Sequence, residues 1–249
     1  TVLTPEDAGV PALGYVVNYH DLASSMHETM RECSSAYLTG AAVTRLETEE
    51  HHGNVYFEQN GSEKKVTARL IVLADGGRLI GQIEDISHHV HEYEQWAVVA
   101  NVKAEMQQTG IAYERFTADG PVALLPSQND FALVWTVSSD AVKAITALDD
   151  AAFLSRLHAH FGDRLGKFIH AGKRSSFPLS LKYAAPVTSQ RIALIGNAAQ
   201  TLHPVAGQGF NLGLRDAYEL TREIITTAEQ SNEIGTTAML ARYRQRRQI

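Results

Sequence analysis

Short apolar runs separated by polar clusters organise most of this chain, and their spacing predicts the elements. GYVVNYH, residues 14–20, reads as a strand, after which Asp21 would cap a helix with Leu22, Met26 and Met30 recurring every four residues. AAVTRLET and GNVYFEQ flank the polar EEHHG, the pattern of a hairpin. ARLIVLADGG follows as an unbroken apolar run ending in Asp75-Gly76-Gly77. Runs of that kind are expected in strands buried on both faces, as in a parallel sheet.

From about residue 92 the texture changes. WAVVANVKA, IAYERFTA, PVALLPS and FALVWTVSS follow one another with polar turns and no helix between them, which predicts an antiparallel sheet. Asp149 or Asp150 then opens a helix carrying Phe153, Leu154, Leu157 and Phe161 on one side. KFIHAGKRSSFPLSL returns as extended chain, and RIALIG reads as a second short buried strand. Beyond it, Leu214, Ala217, Leu220 or Thr221, and Ile224 keep helical spacing, and Met239, Leu240 and Tyr243 mark a last helix. The order is α/β, a β-rich insert, then α/β again. The expected domains are 1–91, 92–180 and 181–249, with the insert forming a lobe of its own beside a ligand cleft.

Composition narrows the possible functions. A formal charge of −6 over 249 residues, with a pI near 6.0, argues against a nucleic-acid partner. The basic cluster Arg242, Arg244, Arg246 and Arg247 reads as a solvated helix face, with an anionic membrane surface as the alternative. Cys33 is alone, so no internal disulfide forms, in keeping with a reducing, cytoplasmic setting. No apolar run reaches the roughly 18 residues of a membrane-spanning helix, and Thr1-Val2-Leu3-Thr4-Pro5 does not have the pattern of a signal peptide. The absence of an initiating Met is compatible with a processed chain or with a piece of a longer one.

The candidate chemistry lies in GNAAQTLHPVAGQGFNLGLRD, residues 196–216. Each glycine costs backbone entropy on folding, so Gly196, Gly207, Gly209 and Gly213 imply that backbone passes close to another object. A strand, a glycine-rich loop and a helix start together form a cradle for an anionic or strongly polar group, because the first helical N–H groups lack partners within the helix. Pro204 stiffens the approach, and Asn197, Gln208 and Asn211 offer hydrogen bonds without net charge. The plainer reading is a loop that only turns the chain, but it leaves the amide side chains unexplained. No G-x-x-x-x-G-K-[ST] occurs, and GQGFNLG does not match G-x-G-x-x-G, so P-loop and dinucleotide fingerprints are both absent.

RIALIGNAAQTLHPVAGQGFNLGLRDAYEL resembles the second flavin-binding motif of the FAD-dependent aromatic hydroxylases, and LIVLADGG resembles their shorter Asp-Gly motif. Within that family the chain is similar to the hydroxylases of ubiquinone biosynthesis. The likeness extends to Asn197 and Gln200 and to the stretches ALGYVV, YERFTADGPVALLP, RLGKFIHAGKRSSFPL and RYRQRRQ. The resemblance implies an α/β fold with an α+β insert: an incomplete FAD-binding Rossmann-like domain and an antiparallel β-sheet substrate lobe. It implies that Asp75 and Gly76 lie near the ribose-pyrophosphate part of FAD, and Gly196 and Asn197 near the ribityl and pyrophosphate groups. Pro204, Gly207, Gln208, Gly209 and Asn211 would border the isoalloxazine ring. Most of the family has Asp where Asn197 stands, and the Arg that many relatives place near residues 19–22 is replaced here by Tyr19 and His20, which stay outside the site.

The implied activity is a monooxygenase in which NAD(P)H reduces FAD and one oxygen atom of O₂ reaches an electron-rich phenol. The implied substrate is a polyprenylphenol, bound in an apolar channel of the β-rich lobe. The enzyme would associate peripherally with the inner membrane or with a biosynthetic complex. The family's strand–glycine loop–helix for the adenosine end is missing, so the chain is expected to be an internal fragment that is inactive and binds FAD weakly alone. Two other readings remain open: a flavin hydroxylase of a small soluble phenol, and a non-catalytic scaffold of a lipid-biosynthesis complex. No catalytic acid or base is assigned. His203 reads as packing or capping its loop, and His88, His89 and His91 as exposed loop residues with no metal site. Trp96, Phe131 and Trp135 read as core, and Lys173 and Arg174 as an exposed strand end or an anion contact. The peptide amides from Pro204 to Asn211 are expected to be free of partners within the protein.

Overall fold

The computed structural model describes residues 1–33, 35–106 and 109–247, with the Ala206 side chain left aside. The fold is mixed α/β with antiparallel sheets, as the sequence pattern predicts. The chain divides into two compact units, Thr1–Tyr37 with Gln95–Pro178, and Leu38–Glu94 with Leu179–Ile249. The first 37 residues thus group with the β-rich segment and not with residues 38–94.

In the first unit, the strand Ser87–Ala104 pairs antiparallel with Asp130–Ser138, from Gln95 opposite Ser138 to Val102 opposite Phe131. Val122–Ser127 pairs with Asp130–Ser138, and Tyr113–Arg115 with Val122–Leu124. Alternation decides which side is buried. Phe131, Leu133 and Trp135 on one strand face the core with Val98, Val102, Val122 and Leu124 on others. The helix Asp150–Phe161 lays Phe153, Leu157 and Phe161 against them, each buried side chain contributing about 2 kcal/mol. Asp149 is its cap, accepting from the Ala152 N–H at 2.8 Å. A second helix, Ser139–Thr146, lies between Asp130–Ser138 and this one, where the sequence pattern shows none.

The predicted strand at residues 14–20 is not formed. A helix runs instead from Tyr19 to Glu32, and Asn18, not Asp21, caps it by accepting from the His20 N–H at 2.8 Å. A local cap and good helix formers prevail over the β-branched Val16-Val17 pair, which has no strand partner. None of its side chains is buried, and Met26 and Met30 are exposed.

In the second unit, Ala42–Thr48, Gly53–Gln59 and Ser62–Ala68 form a three-stranded antiparallel sheet, extending the expected hairpin by one strand. Ile71–Leu73 pairs in parallel with Ile192–Leu194, and Thr188–Ser189 pairs antiparallel with Ile192–Leu194. Ile192–Leu194 is buried throughout, whereas Val72 is 40% exposed, so Ile71–Leu73 is covered on one face only. The helices Gln208–Glu229 and Thr237–Arg247 complete the unit, with Met239, Leu240 and Tyr243 in its core as predicted. The Tyr243 hydroxyl donates to the Leu194 carbonyl at 3.0 Å, which fastens the last helix to the buried strand.

The long helix differs from its sequence pattern. Its buried positions are Asp216, Leu220, Glu223 and Thr227, while Leu214 is 51% exposed. The arginines of the last helix account for this. Arg247 Nε lies 2.6 Å from Asp216, Arg246 Nε lies 3.2 Å from Glu223, and Arg242 also pairs with Glu223. The basic cluster is therefore not simply a solvated face: three of its four members neutralise buried carboxylates. A buried carboxylate without such a partner would incur a large desolvation cost.

Candidate functional site

The two parallel strands set the position of the candidate site, because ligands of open α/β sheets bind beyond the carboxyl ends of such strands. Just past Leu73 the chain turns at Asp75–Gly77, and just past Leu194 it turns at Gly196–Ala198. The Ile195 N–H donates to the Leu73 carbonyl at 3.0 Å, so both turns start from a shared register. They also touch, since a methyl group on Gly77 would stand 3.9 Å from the Ala198 Cα and the Asn197 carbonyl oxygen.

Asp75 shapes its own turn. One carboxylate oxygen accepts from the Gly77 N–H at 2.9 Å and the other from the Leu79 N–H at 3.0 Å. Gly76, at φ 75°, is exposed and has open space where a side chain would project. The group available to a ligand at this turn is thus the Gly76 backbone, held in place by Asp75.

Gly196 sits at φ 59° against the long helix, where a methyl group on Gly213 would come within 3.2 Å of its Cα. The Gly196 N–H donates to Asp216 at 3.0 Å. Asn197, next in the turn, is exposed, and its side chain bonds no other described residue. Gln200–Thr201 then pairs with Lys182–Tyr183, carrying the chain to Pro204.

Pro204 precedes a single 3₁₀ turn, Val205–Gly207, that leads into the helix Gln208–Glu229. Gly207 is its N-cap at φ 60°, and no side chain caps the helix start. Methyl groups on Gly207 or Gly209 would meet nothing within 4 Å. Gln208 and Asn211 are exposed, and neither side chain bonds another described residue. The expectation that every amide from Pro204 to Asn211 is free needs correction. The Val205 N–H donates to His203 Nδ1 at 3.3 Å and the Gly207 N–H to the Pro204 carbonyl at 3.0 Å. A chain entering a helix through a 3₁₀ turn bonds its own amides first, and the uncapped set begins at the helix proper.

His203 packs and braces the loop, as its sequence context suggests. Its ring meets Tyr93 edge-on at 5.3 Å, Nδ1 accepts from Val205, and burial holds its pKa below the ordinary histidine value. His88, His89 and His91 lie in the strand Ser87–Ala104 and not in a loop. They are exposed; His89 stacks on Tyr183 at 4.7 Å and His91 meets Tyr93 at 5.3 Å. No metal-binding cluster occurs among the described residues. Trp135 and Phe131 are core residues, and Trp96 is partly buried beside them. Arg174 pairs with Asp150 at 3.1 Å and lies over the Phe153 ring, so it is not an exposed strand end.

The family model described as "FAD binding domain" matches residues 11–249. The chain belongs to that family. Among its relatives, ubiquinone hydroxylase UbiL of Rhodospirillum rubrum is 40% identical over 180 residues, covering 72% of this chain and 42% of its own length. The 3-demethoxyubiquinol 3-hydroxylase of Escherichia coli is 29% identical over 240 residues, covering 96% and 61% respectively. The flavin-dependent halogenase CmlS superposes with a TM-score of 0.75 at 17% identity, covering 93% of this chain and 44% of that one, a likeness of fold alone. The chain spans about half the length of the curated relatives it matches.

The residues present fit a flavin nucleotide as this family would hold it. Gly76, Gly207 and Gly209 leave open space where side chains would otherwise stand, and the uncapped helix start presents N–H groups and partial positive charge. Sequence reasoning missed the support behind these turns, namely Asp216, Gln200 and Arg247. The spacing of Leu214, Ala217 and Ile224 gave no signal for Asp216, whose burial depends on Arg247 from another helix.

Proposed function

We propose that the chain belongs to an FAD-dependent monooxygenase that hydroxylates the aromatic ring of a polyprenylated phenol in ubiquinone biosynthesis, using NAD(P)H and O₂. The observation that carries this reading is the uncapped helix start after Gly207, set beside two touching turns at the carboxyl ends of parallel strands. When bound, FAD supplies the acceptance of hydride from NAD(P)H and the activation of O₂. The chain's own residues bind and orient it. Gly76 and Gly196 would border the nucleotide backbone, and Asn197 would offer a neutral amide to the ribityl hydroxyls. The N–H groups of the first helical turn, with Gln208 and Asn211, would face the electron-rich edge of the ring system, where the helix dipole would stabilise negative charge. Pro204 and the loop braced by His203 would close one side.

Both ubiquinone-pathway relatives support a polyprenylated substrate. One cavity in the β-rich unit, of about 290 Å³, is lined by Glu114, Arg115, Asp163 and Arg164 with Tyr113 and Phe161, a polar lining that does not suit a prenyl tail. No helix among the described residues is long and apolar enough to cross a membrane. As a separate reading, we propose peripheral association with the inner membrane or with a biosynthetic complex.

The test is a visible spectrum of the full-length protein followed by NAD(P)H oxidation with a prenylated phenol and its unprenylated analogue. A yellow protein stimulated by the prenylated compound is expected. Equal stimulation by both would favour a hydroxylase of small soluble phenols, and a colourless protein that FAD does not restore would favour a scaffold.

A further inference from the structure

Asp216 is 3% exposed and lies two turns into the long helix, away from its first-turn amides. Its carboxylate accepts from the Gly196 N–H at 3.0 Å and from Gln200 Nε2 at 3.2 Å. Arg247, from the last helix, meets it with a two-pronged grip: Nε to one oxygen at 2.6 Å and a terminal nitrogen to the other at 3.1 Å. The same terminal nitrogen donates to Gln200 Oε1 at 2.6 Å, closing a ring of three groups, with the Gly196 N–H bonded to its Asp216 member. Behind this ring, Gly196 and Gly213 bring turn and helix to backbone contact.

We propose that Arg247 is a positioning residue of the flavin site. It fixes Asp216, which fixes the Gly196–Asn197 turn against the helix that carries the uncapped N-terminus. Two ligand-facing surfaces from separate parts of the chain then act as one rigid cradle. This rests on the FAD reading of the site, but its mechanical half does not require flavin. Without Arg247 the Asp216 charge is buried unpaired, and the carboxylate must draw in water or turn outward. Either movement releases the Gly196 N–H and lets the turn drift. Displacements of an ångström at a site are enough to change its affinity or rate by large factors.

A comparator lies on the same two helices. Arg242 pairs with Glu223, two turns beyond Asp216, and neither is bonded to the Gly196 turn. The experiment compares Arg247→Ala with Arg242→Ala in the full-length protein at a temperature where both are folded. Two quantities are read: the FAD dissociation constant by flavin fluorescence, and hydrogen exchange of the Gly196 amide without flavin. Arg247→Ala is expected to weaken FAD by about tenfold or more and to speed Gly196 exchange, as supporting-residue losses do at metal sites. Arg242→Ala should leave both within about twofold of wild type, while lowering Tm.

The double variant Asp216→Asn with Arg247→Gln keeps an acceptor for Gly196 without a buried charge, and it should recover most of the FAD affinity. Equal effects of Arg247→Ala and Arg242→Ala on both readouts would overturn the proposal, as would a double variant no better than Arg247→Ala. If wild-type protein fails to bind FAD, the flavin reading falls. The exchange comparison then decides whether Arg247 positions the turn.

Discussion

Gly235 and Gly76 are both glycines at positive φ, 83° and 75°, yet their surroundings differ. A methyl group on Gly235 would land 2.1 Å from the Arg69 carbonyl oxygen, whereas one on Gly76 would meet nothing within 4 Å. Gly235→Ala should therefore cost about 3 kcal/mol or more in urea unfolding, with backbone forced to move. Gly76→Ala should cost only the left-handed strain of about 1–2 kcal/mol. A Gly76→Ala protein as unstable as Gly235→Ala would contradict the open turn. His203 gives a pH prediction at the same scale. Burial lowers its pKa from 6.5, and its neutral Nδ1 accepts the Val205 N–H. The neutral form is favoured in the folded chain. Its contribution is therefore complete above 6.5 and is lost as pH falls through the lowered folded value. An NMR titration of the imidazole should give a midpoint below 6.5, and a midpoint at or above it would remove this account.

At the scale of elements, the long helix and the last helix are held together by charge as much as by apolar contact. Glu223 is 1% exposed, while the side chains of Arg242 and Arg246 remain 46% and 38% exposed. This asymmetry decides which substitutions matter. Glu223→Leu frees two arginines that already reach solvent, so its effect should stay within about 1 kcal/mol or be stabilising. Replacing both arginines by Ala strands a buried carboxylate and should cost about 3–5 kcal/mol in urea unfolding. The reverse order of effects would show that the carboxylate is hydrated. Hydrophobic spacing predicted a helix here, without its length. It did not predict which face is buried, because the partner that makes Asp216 and Glu223 tolerable lies on another helix.

Across the whole molecule, the net charge of −6 and the internal use of Arg242, Arg246 and Arg247 bear on membrane association. Electrostatic attraction to anionic lipid needs free basic residues near a surface, about 1 kcal/mol each. Co-flotation with phosphatidylserine vesicles should accordingly be weak and insensitive to salt. Strong binding abolished by salt would restore the membrane reading of the arginine cluster.

The sequence by itself determined the glycine-rich turn, the strands Val122–Ser127 and Asp130–Ser138, the helix opened at Asp149 or Asp150 and the family, because turn chemistry, alternation and capping act between near neighbours in the chain. Local capping and turn bonds decided that a helix starts at Tyr19 and that Asp75 braces its own turn, whereas only tertiary structure brought Arg247, Asp216 and Gly196 together. The last outcome depends on desolvation and charge pairing between groups far apart in the chain. Only packing brings such groups together, and local patterns carry no record of it.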